Sequence, residues 1–129
     1  MDDTRRERLS QRILEELSTM LLRGEIKDHR VSTLVSFSYA RLARDGSTAR
    51  IGVSSVLPAG KLNQAVNGLN SAAGFLQTRL GRNLQVRQTP RIHFVADHSI
   101  EEGQQVVAKI NQLTRDEARD SAAEQTDGN

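Results

Sequence analysis

The spacing of apolar residues predicts a first helix over residues 5–23. The positions that repeat every fourth residue on one helical face are Leu9, Ile13, Leu17 and Leu21. Thr4 is expected to cap this helix, with Glu7 three residues later completing a capping box. Gly24 is expected to end it.

Alternating apolar and polar residues then predict two strands, over residues 31–42 and 48–57, that pair as an antiparallel hairpin. Residues 44–47 read as the connecting turn, with Gly46 free to take a positive φ. The side chains expected on one face of the first strand are Val31, Thr33, Val35, Phe37 and Tyr39. Those expected on one face of the second strand are Ala49, Ile51 and Val53.

Helical spacing returns over residues 61–83, where Gly74 interrupts it and predicts two helices joined by a kink. A glycine inside a helix costs about 1 kcal/mol relative to alanine, and it often marks a bend. Gly81 is expected to end the second helix. Phe75 is expected to turn inward, with an exposed stacking position as the alternative.

A third strand is predicted around Ile92, Phe94 and Ala96, and a final helix over residues 100–114. The order α-β-β-α-kink-α-β, followed by a helix, predicts an α+β fold with a three-stranded sheet and its helices on one face. The two helices between the second and third strands allow a parallel pairing there. We expect one domain over 1–114 and a disordered acidic tail over 115–129, which has almost nothing apolar to bury.

Composition excludes several kinds of chemistry. The 129 residues include no Cys, which rules out disulfides, thiolate metal sites and Cys nucleophiles. No apolar run approaches the roughly 18 residues that a membrane span requires, and no signal peptide is apparent. A soluble cytoplasmic protein without membrane contact is therefore expected.

No motif for catalysis, metal or nucleotide binding is found. His29, His93 and His98 lack a recognised ligand spacing, and Gly60-Lys61 lacks the remaining residues of a phosphate-binding loop. No Gly-x-Ser-x-Gly elbow occurs. Glu15 and Glu16 point about 100° apart on a helix and would not converge on a substrate. We therefore predict a protein that is not an enzyme and that uses no metal or cofactor.

The distribution of charge is typical of a protein with a polyanionic partner, and an ordinary solvated charged face is an equally good interpretation of charge alone. The net charge is only +2, yet no acidic residue occurs between Asp45 and Asp97, a segment that contains six basic residues. Fifteen of the 18 basic residues are Arg, whose guanidinium group suits bidentate phosphate contact.

The kink is the candidate RNA site, because the second helix would begin there with free amide groups and small side chains. Tight helix packing by Ala and Gly is the alternative. The residues predicted to contact RNA around the kink are Lys61, Asn70, Ser71, Ala72, Ala73, Gly74, Arg79, Arg82 and Arg87. A second predicted patch contains Arg5, Arg6, Arg8, Lys27 and Arg30. Few aromatics are present, so recognition by shape and backbone is expected.

Four short segments, taken in order, resemble the bacterial ribosome-binding factor A family. They are Ile26–Val31, Asn70–Leu76, Leu80–Arg82 with Val86-Arg87 and Pro90 following, and Phe94–Ser99 with Gly103 following. The resemblance implies a type II KH-like fold in which Ala72-Ala73-Gly74 forms an Ala-x-Gly kink. Two positions depart from the family pattern, because Pro is common where His29 stands and Asp-Leu-Ser where Asp45-Gly46-Ser47 stands.

The resemblance also implies a function. It implies binding to 16S ribosomal RNA in the immature small (30S) ribosomal subunit, assistance in late rRNA processing, release before translation, and no catalytic residues. We expect the protein to be a monomer. The alternatives are a general KH-type single-strand RNA-binding protein, a protein-interaction module that uses the acidic tail and, more distantly, a hydrolase.

Overall fold

The computed structural model describes residues 2–31, 34–56, 58–100, 102–103 and 106–115. The chain divides into two units, Met1–His98 and Ser99–Asn129. In the first unit the elements are α1 (Asp3–Leu22), β1 (Val35–Leu42), β2 (Thr48–Ser55), α2 (Ala59–Ser71), α3 (Ala73–Leu84) and β3 (Arg91–Ala96). In the second unit, residues 99–100, 102–103 and 106–115 are helical, in the region of the predicted final helix. Residues 116–129 of the predicted tail lie outside the described residues.

The sheet has the order β1-β2-β3, with β1 and β2 antiparallel and β2 and β3 parallel. Helices cover one of its faces, as predicted, and the α+β fold is confirmed. Ala49, Ile51 and Val53 of β2 all point into the core, also as predicted. Their neighbours in the core are leucines and other apolar residues of the three helices, including Ile13, Leu17, Leu69, Leu76 and Leu80.

The predicted alternation along β1 is wrong beyond Phe37. An irregularity between Phe37 and Tyr39 inserts one extra residue, so that Tyr39 pairs with Gly52 and lies on the face away from the helices. Val35 and Phe37 point inward before this bulge, and Leu42 points inward after it. The strand also begins at Val35, not residue 31, because Val31 donates its N–H to the Asp28 carbonyl oxygen in a turn. Thr33 lies outside the described residues.

The ends of the helices differ from prediction in three places. Asp2, not Thr4, caps α1, because its carboxylate accepts a hydrogen bond from the Thr4 N–H at 2.8 Å. The capping box with Glu7 is therefore wrong, whereas Gly24, at φ 70°, follows the helix end as expected. Gly81 lies inside α3, and the helix ends instead at Gln85, which takes a left-handed conformation with φ 51°.

Close packing explains the glycine at position 81. A Cβ there would lie 3.0 Å from the Thr89 Oγ1, so the loop before β3 approaches the helix where the side chain is absent. The break between α2 and α3 falls at Ala72, with φ −87° and ψ 1°, two residues before Gly74.

Side-chain amides from both sides of this break bind the outer edge of β3. Asn70 of α2 donates to the Phe94 carbonyl oxygen and accepts from the Phe94 N–H, both at 2.9 Å. Gln77 of α3 accepts from the Ile92 N–H at 3.1 Å and donates to the Pro90 carbonyl oxygen at 2.6 Å. The two amides supply hydrogen bonds that a further strand would otherwise supply, and they attach both helices to the sheet.

Replacing Gln77 with Leu should therefore destabilise the fold. The backbone groups of Ile92 and Pro90 would lose their partners while remaining partly shielded from water, which we expect to lower the free energy of unfolding by about 1–3 kcal/mol. Urea unfolding of Gln77→Leu measures this loss. Gln64→Leu makes the same change at an exposed position of α2 and should shift stability by less than about 0.5 kcal/mol. Equal stabilities of the two variants would contradict the role assigned to the Gln77 amide.

Candidate nucleic-acid interface

The kink leaves the N-terminus of α3 open. Within the described part of the chain, no side chain caps α3, and a Cβ added at the exposed Gly74 would meet nothing within 4 Å. The first amide groups of a helix lack intrahelical partners and carry the positive end of its dipole, which favours a phosphate. The alternative that Gly74 permits tight helix packing does not hold, because the space around it is empty.

Tight packing occurs instead at Gly68 in α2, against the segment that follows α1. A Cβ at Gly68 would lie 3.0 Å from both the Asp28 Oδ1 and the Val31 Cγ2. The segment is held in turn by an ion pair in which Arg30 donates to both carboxylate oxygens of Asp28, at 3.0 and 2.8 Å. Arg30 also donates to the Ser71 Oγ at 3.0 Å. The sequence assigned Arg30 to a second patch, but its guanidinium group lies beside the kink.

The charge state of Asp28 follows from these contacts. Hydrogen bonds from the side chain and backbone of Arg30 hold the pKa of the Asp28 carboxyl well below its usual range, against a smaller opposing effect of desolvation. The carboxylate is thus ionised across the physiological range, and it fixes Arg30 in place.

The prediction that Phe75 turns inward is wrong. Its side chain is 47% exposed, and the Arg79 guanidinium lies 5.4 Å from the ring centroid. The inward positions of α3 belong to Leu76, Leu80 and Leu84, which recur every four residues, and Phe75 is one step outside that stripe. An aromatic ring and a cation therefore lie together in the first two turns of the helix that begins at the kink. Arg79 also lies 3.5 Å from a carboxylate oxygen of Glu25.

Four arginines from two segments of the chain line a groove of about 1000 Å³. Arg5, Arg8 and Arg12 come from one face of α1, and Arg87 comes from the loop between α3 and β3. Arg12 is oriented by a hydrogen bond of 3.1 Å from its Nη2 to the Leu84 carbonyl oxygen. Arg12 was not among the RNA contacts predicted from the sequence. It could have been included, because it follows Arg8 by four residues and so lies on the same helical face.

Asp45, the acidic residue that lines this groove, forms no ion pair with the groove arginines in the described part of the chain. The carboxylate of Asp45 accepts hydrogen bonds from the Ser47 hydroxyl at 2.7 Å and from the Ser47 N–H at 3.0 Å. These bonds hold the pKa of Asp45 below its usual range. Among the residues that the structure describes, none of the four groove arginines forms an ion pair.

A second groove joins the arginine groove to the kink. Its walls include Gly74, Gln77 and Arg91, and Gln88 lines both grooves. Gly74, Gln88 and Arg87 thus mark a path through two adjacent grooves on the surface of the first unit. Arg91 was not among the predicted contacts. It lines the same groove as Gly74 only in the folded protein, because the two residues are far apart in sequence.

The remaining predicted contacts are not all brought together. Arg6 is paired with Asp3 at 2.9 Å and lines a separate hollow beside β1, away from Arg5 and Arg8. The Asn70 amide is bound to β3, so that part of its side chain serves the fold. Lys27, Lys61 and Arg82 are exposed, and Arg82 lies in the last turn of α3.

The described residues offer no grouping of three or more His, Cys, Asp or Glu suited to a metal ion. Among the same residues, no helix combines the length and apolar character needed to cross a membrane.

Comparison with known proteins identifies a family to which the chain is similar. The profile of the family "Ribosome-binding factor A" matches residues 5–110. The chain is similar to the ribosome-binding factor A of Treponema denticola, with 42% identity over 113 residues that cover 88% of this chain and 86% of the relative.

Solved structures show the same fold. The crystal structure of ribosome-binding factor A from Thermus thermophilus matches with a TM-score of 0.61 and 23% identity, covering 70% of this chain and 93% of that one. A homology model of the Thermus thermophilus factor, fitted into a cryo-EM map of its 30S complex, matches with a TM-score of 0.50 and 24% identity. That match covers 67% of this chain and 93% of the other.

The pair formed by Asp28 and Arg30 predicts an acid-dependent loss of stability. A carboxyl whose pKa is lowered by folding stabilises the protein above its unfolded-state pKa, and this contribution is lost as the pH falls toward the folded-state value. Wild type should therefore exceed Asp28→Asn in stability at pH 7, and the difference should shrink as the pH falls below about 4. Urea unfolding at a series of pH values measures the difference.

Asp3→Asn is a matched control, since it removes an exposed ion pair and should change stability little at neutral pH. The role assigned to the Asp28 carboxylate would be contradicted by a constant difference in unfolding free energy between wild type and Asp28→Asn. The decisive range runs from neutral pH down to about pH 2.5, well below the ordinary Asp pKa.

Proposed function

Because the chain belongs to the ribosome-binding factor A family, we propose that it binds 16S ribosomal RNA in the immature small (30S) ribosomal subunit and assists late processing and maturation of that RNA. It acts in the cytoplasm as a monomer and leaves the subunit before translation. It is a binding protein and not an enzyme, and it acts without metal or cofactor.

The observation that carries this proposal is the path of unpaired positive charge beside an open helix terminus. Gly74 and the uncapped start of α3 lie at one end of the path, and the groove of Arg5, Arg8, Arg12 and Arg87 lies at the other. Phosphates along an RNA strand can supply the negative charge that the protein itself does not. Support also comes from the 30S complex in which a protein of the same fold has been placed.

The site recognises RNA chiefly through its backbone. The small residues Ala73 and Gly74 let a phosphate approach the amide groups of α3, and Arg30, fixed by Asp28, adds a guanidinium group on the other side of the kink. Arg79, Arg82 and Lys61 extend the positive surface along the two helices. Asn70, Ser71 and Ala72 shape the break, and Lys27 lies on the segment that precedes Arg30. Arg6 contributes least, because it lines a separate hollow beside β1, away from the kink and the arginine groove, and is paired there with Asp3.

A general single-strand RNA-binding function is the second candidate. The exposed ring of Phe75 favours it, because single-strand readers stack bases on exposed aromatic residues. The two candidates differ in selectivity. Binding to immature small subunits much tighter than to unrelated single strands of equal length supports the ribosomal role, and equal affinities support the general one.

The groove arginines should set the salt dependence of binding. Arg8→Gln and Arg87→Gln should each reduce the slope of log affinity against log salt by about 0.7–0.9, the amount expected for one lost phosphate contact. Titration of purified 30S subunits with labelled protein at several salt concentrations measures the slope. The matched control Arg23→Gln removes an exposed guanidinium at the far end of α1 and should leave the slope unchanged. Slopes that fall equally in all three variants would argue against the groove.

Arg82 offers a test of the helix that follows the kink. Arg82→Glu should weaken binding to the small subunit roughly fivefold to tenfold at ~0.1 M salt, because a cation near the RNA becomes an anion. The variant should keep the thermal stability of wild type, since Arg82 is exposed and forms no ion pair in the described part of the chain. Cosedimentation with subunits and thermal unfolding measure the two effects. Arg82→Lys keeps the charge and should bind as wild type, so unchanged binding of Arg82→Glu would remove this position from the site.

A further inference from the structure

The face of the sheet opposite the helices carries a basic surface that the proposed site does not use. The bulge in β1 places Tyr39 and Arg41 on this face. The alternation of side chains along β2 and β3 places Arg50 and His93 there as well. The outward side chains along the three strands include those of Tyr39, Arg41, Thr48, Arg50, Arg91, His93 and Val95, and the hydrogen-bonded pair of Ser36 and Ser54 lies on the same face.

Three of these residues form a row across the sheet. Arg41 is the direct partner of Arg50 on β1 and β2, and Arg50 is in turn the direct partner of His93 on β3. All three side chains are exposed. Directly opposed residues on neighbouring strands have Cβ atoms about 5 Å apart, and two like charges in that arrangement destabilise a sheet. The repulsion between Arg41 and Arg50 therefore does not help the sheet to form.

Nothing on the strands compensates this charge. The sequences of β1, β2 and β3 contain no Asp or Glu. Within the described residues, Arg41, Arg50 and Arg91 form no ion pair. The carboxylate of Asp97 lies just past the end of β3, where it accepts a hydrogen bond from the Ser38 hydroxyl at 2.6 Å.

One guanidinium group of the row is held in a defined position. The ring of Tyr39 lies directly against Gly52, where any side chain would collide with it. The Arg41 guanidinium stacks 4.6 Å from the centroid of that ring. Such stacking orients the planar group and leaves its edge, which carries the N–H donors, available to an acceptor.

The surface is continuous with the proposed RNA site. Arg91 is the partner of Thr48 on the open face, and both residues also line the groove that contains Gly74. An anionic strand that leaves the kink in this direction meets Arg91 first and then the row. An acidic protein segment would also complement the charge, but continuity with the kink favours the polymer that the kink itself binds.

We propose that the open face of the sheet is a second RNA-binding surface, on which Arg41, Arg50 and His93 hold the phosphate backbone of an RNA segment continuing past the kink. This inference rests on the proposed function. It extends the RNA-binding site from the kink and the arginine groove to the face of the sheet opposite the helices. The ligand class is a polyanionic RNA backbone, and base identity plays little part because the donors are guanidinium and imidazole groups.

The test compares Arg50→Gln with Arg23→Gln in the full chain. Titrations against purified 30S subunits and against a 16S ribosomal RNA transcript, each at several salt concentrations, give affinity and salt slope. We expect Arg50→Gln to reduce the slope by about 0.7–0.9 with both probes and to lower affinity severalfold, while Arg23→Gln matches wild type. Because the change also removes a like-charge pair, the midpoint of urea unfolding should stay the same or rise. Lower affinity without lower stability distinguishes a binding role from a structural one.

Each other outcome overturns the inference in a recognisable way. Wild-type binding with equal slopes for Arg50→Gln and Arg23→Gln would reject the sheet surface and leave the proposed function standing. A loss seen with subunits but not with the RNA transcript would assign the surface to an acidic protein instead. Failure of wild type to bind either probe would reject the proposed function, and the sheet surface with it.

Discussion

The attachment of the two central helices to the outer edge of β3 is the interaction on which the candidate site depends. Asn70 and Gln77 lie on opposite sides of the break at Ala72, and each fills the hydrogen-bonding needs of a different stretch of the same strand. These two contacts attach α2 and α3 to the same strand, and the break between them at Ala72 leaves Gly74 exposed at the surface.

A fold held in this way leaves its arginines available for a partner. The core is aliphatic and lies between the helices and one face of the sheet, so it needs no charged residue for cohesion. Arg30 and Arg12 do take part in the fold, through Asp28 and the Leu84 carbonyl oxygen. In both cases the bond orients the guanidinium group toward a surface already rich in positive charge. Fixing such a group before binding reduces the conformational entropy that binding would otherwise lose.

Much of the architecture could be predicted from the sequence, because apolar spacing depends on neighbours within a few residues. The order of elements, the hairpin, the two-piece helix and the family resemblance are all confirmed. Two of the errors occur where a distant contact decides the outcome. Thr89 packs against α3 where Gly81 lacks a side chain, and Tyr39 lies on the outer face because of a bulge that no local sequence pattern predicts. The outward position of Phe75 could have been found, since the stripe of Leu76, Leu80 and Leu84 was visible. The candidate site was harder to predict for the same reason, because the meeting of the α1 arginines with Arg87 depends on the packing of α1 against α3.

The extra residue in β1 has a further consequence for how the sheet tolerates change. Ser38 is the extra residue that shifts the alternation of β1 by one position. Before it, the odd-numbered side chains of the strand face the helices, and after it the even-numbered ones do. Loss of Ser38 would yield a regular strand with both faces intact, whereas loss of one residue from the middle of β2 would move apolar side chains outward and polar ones inward over half its length. Natural length variation in this sheet should therefore concentrate at a single position on its edge strand.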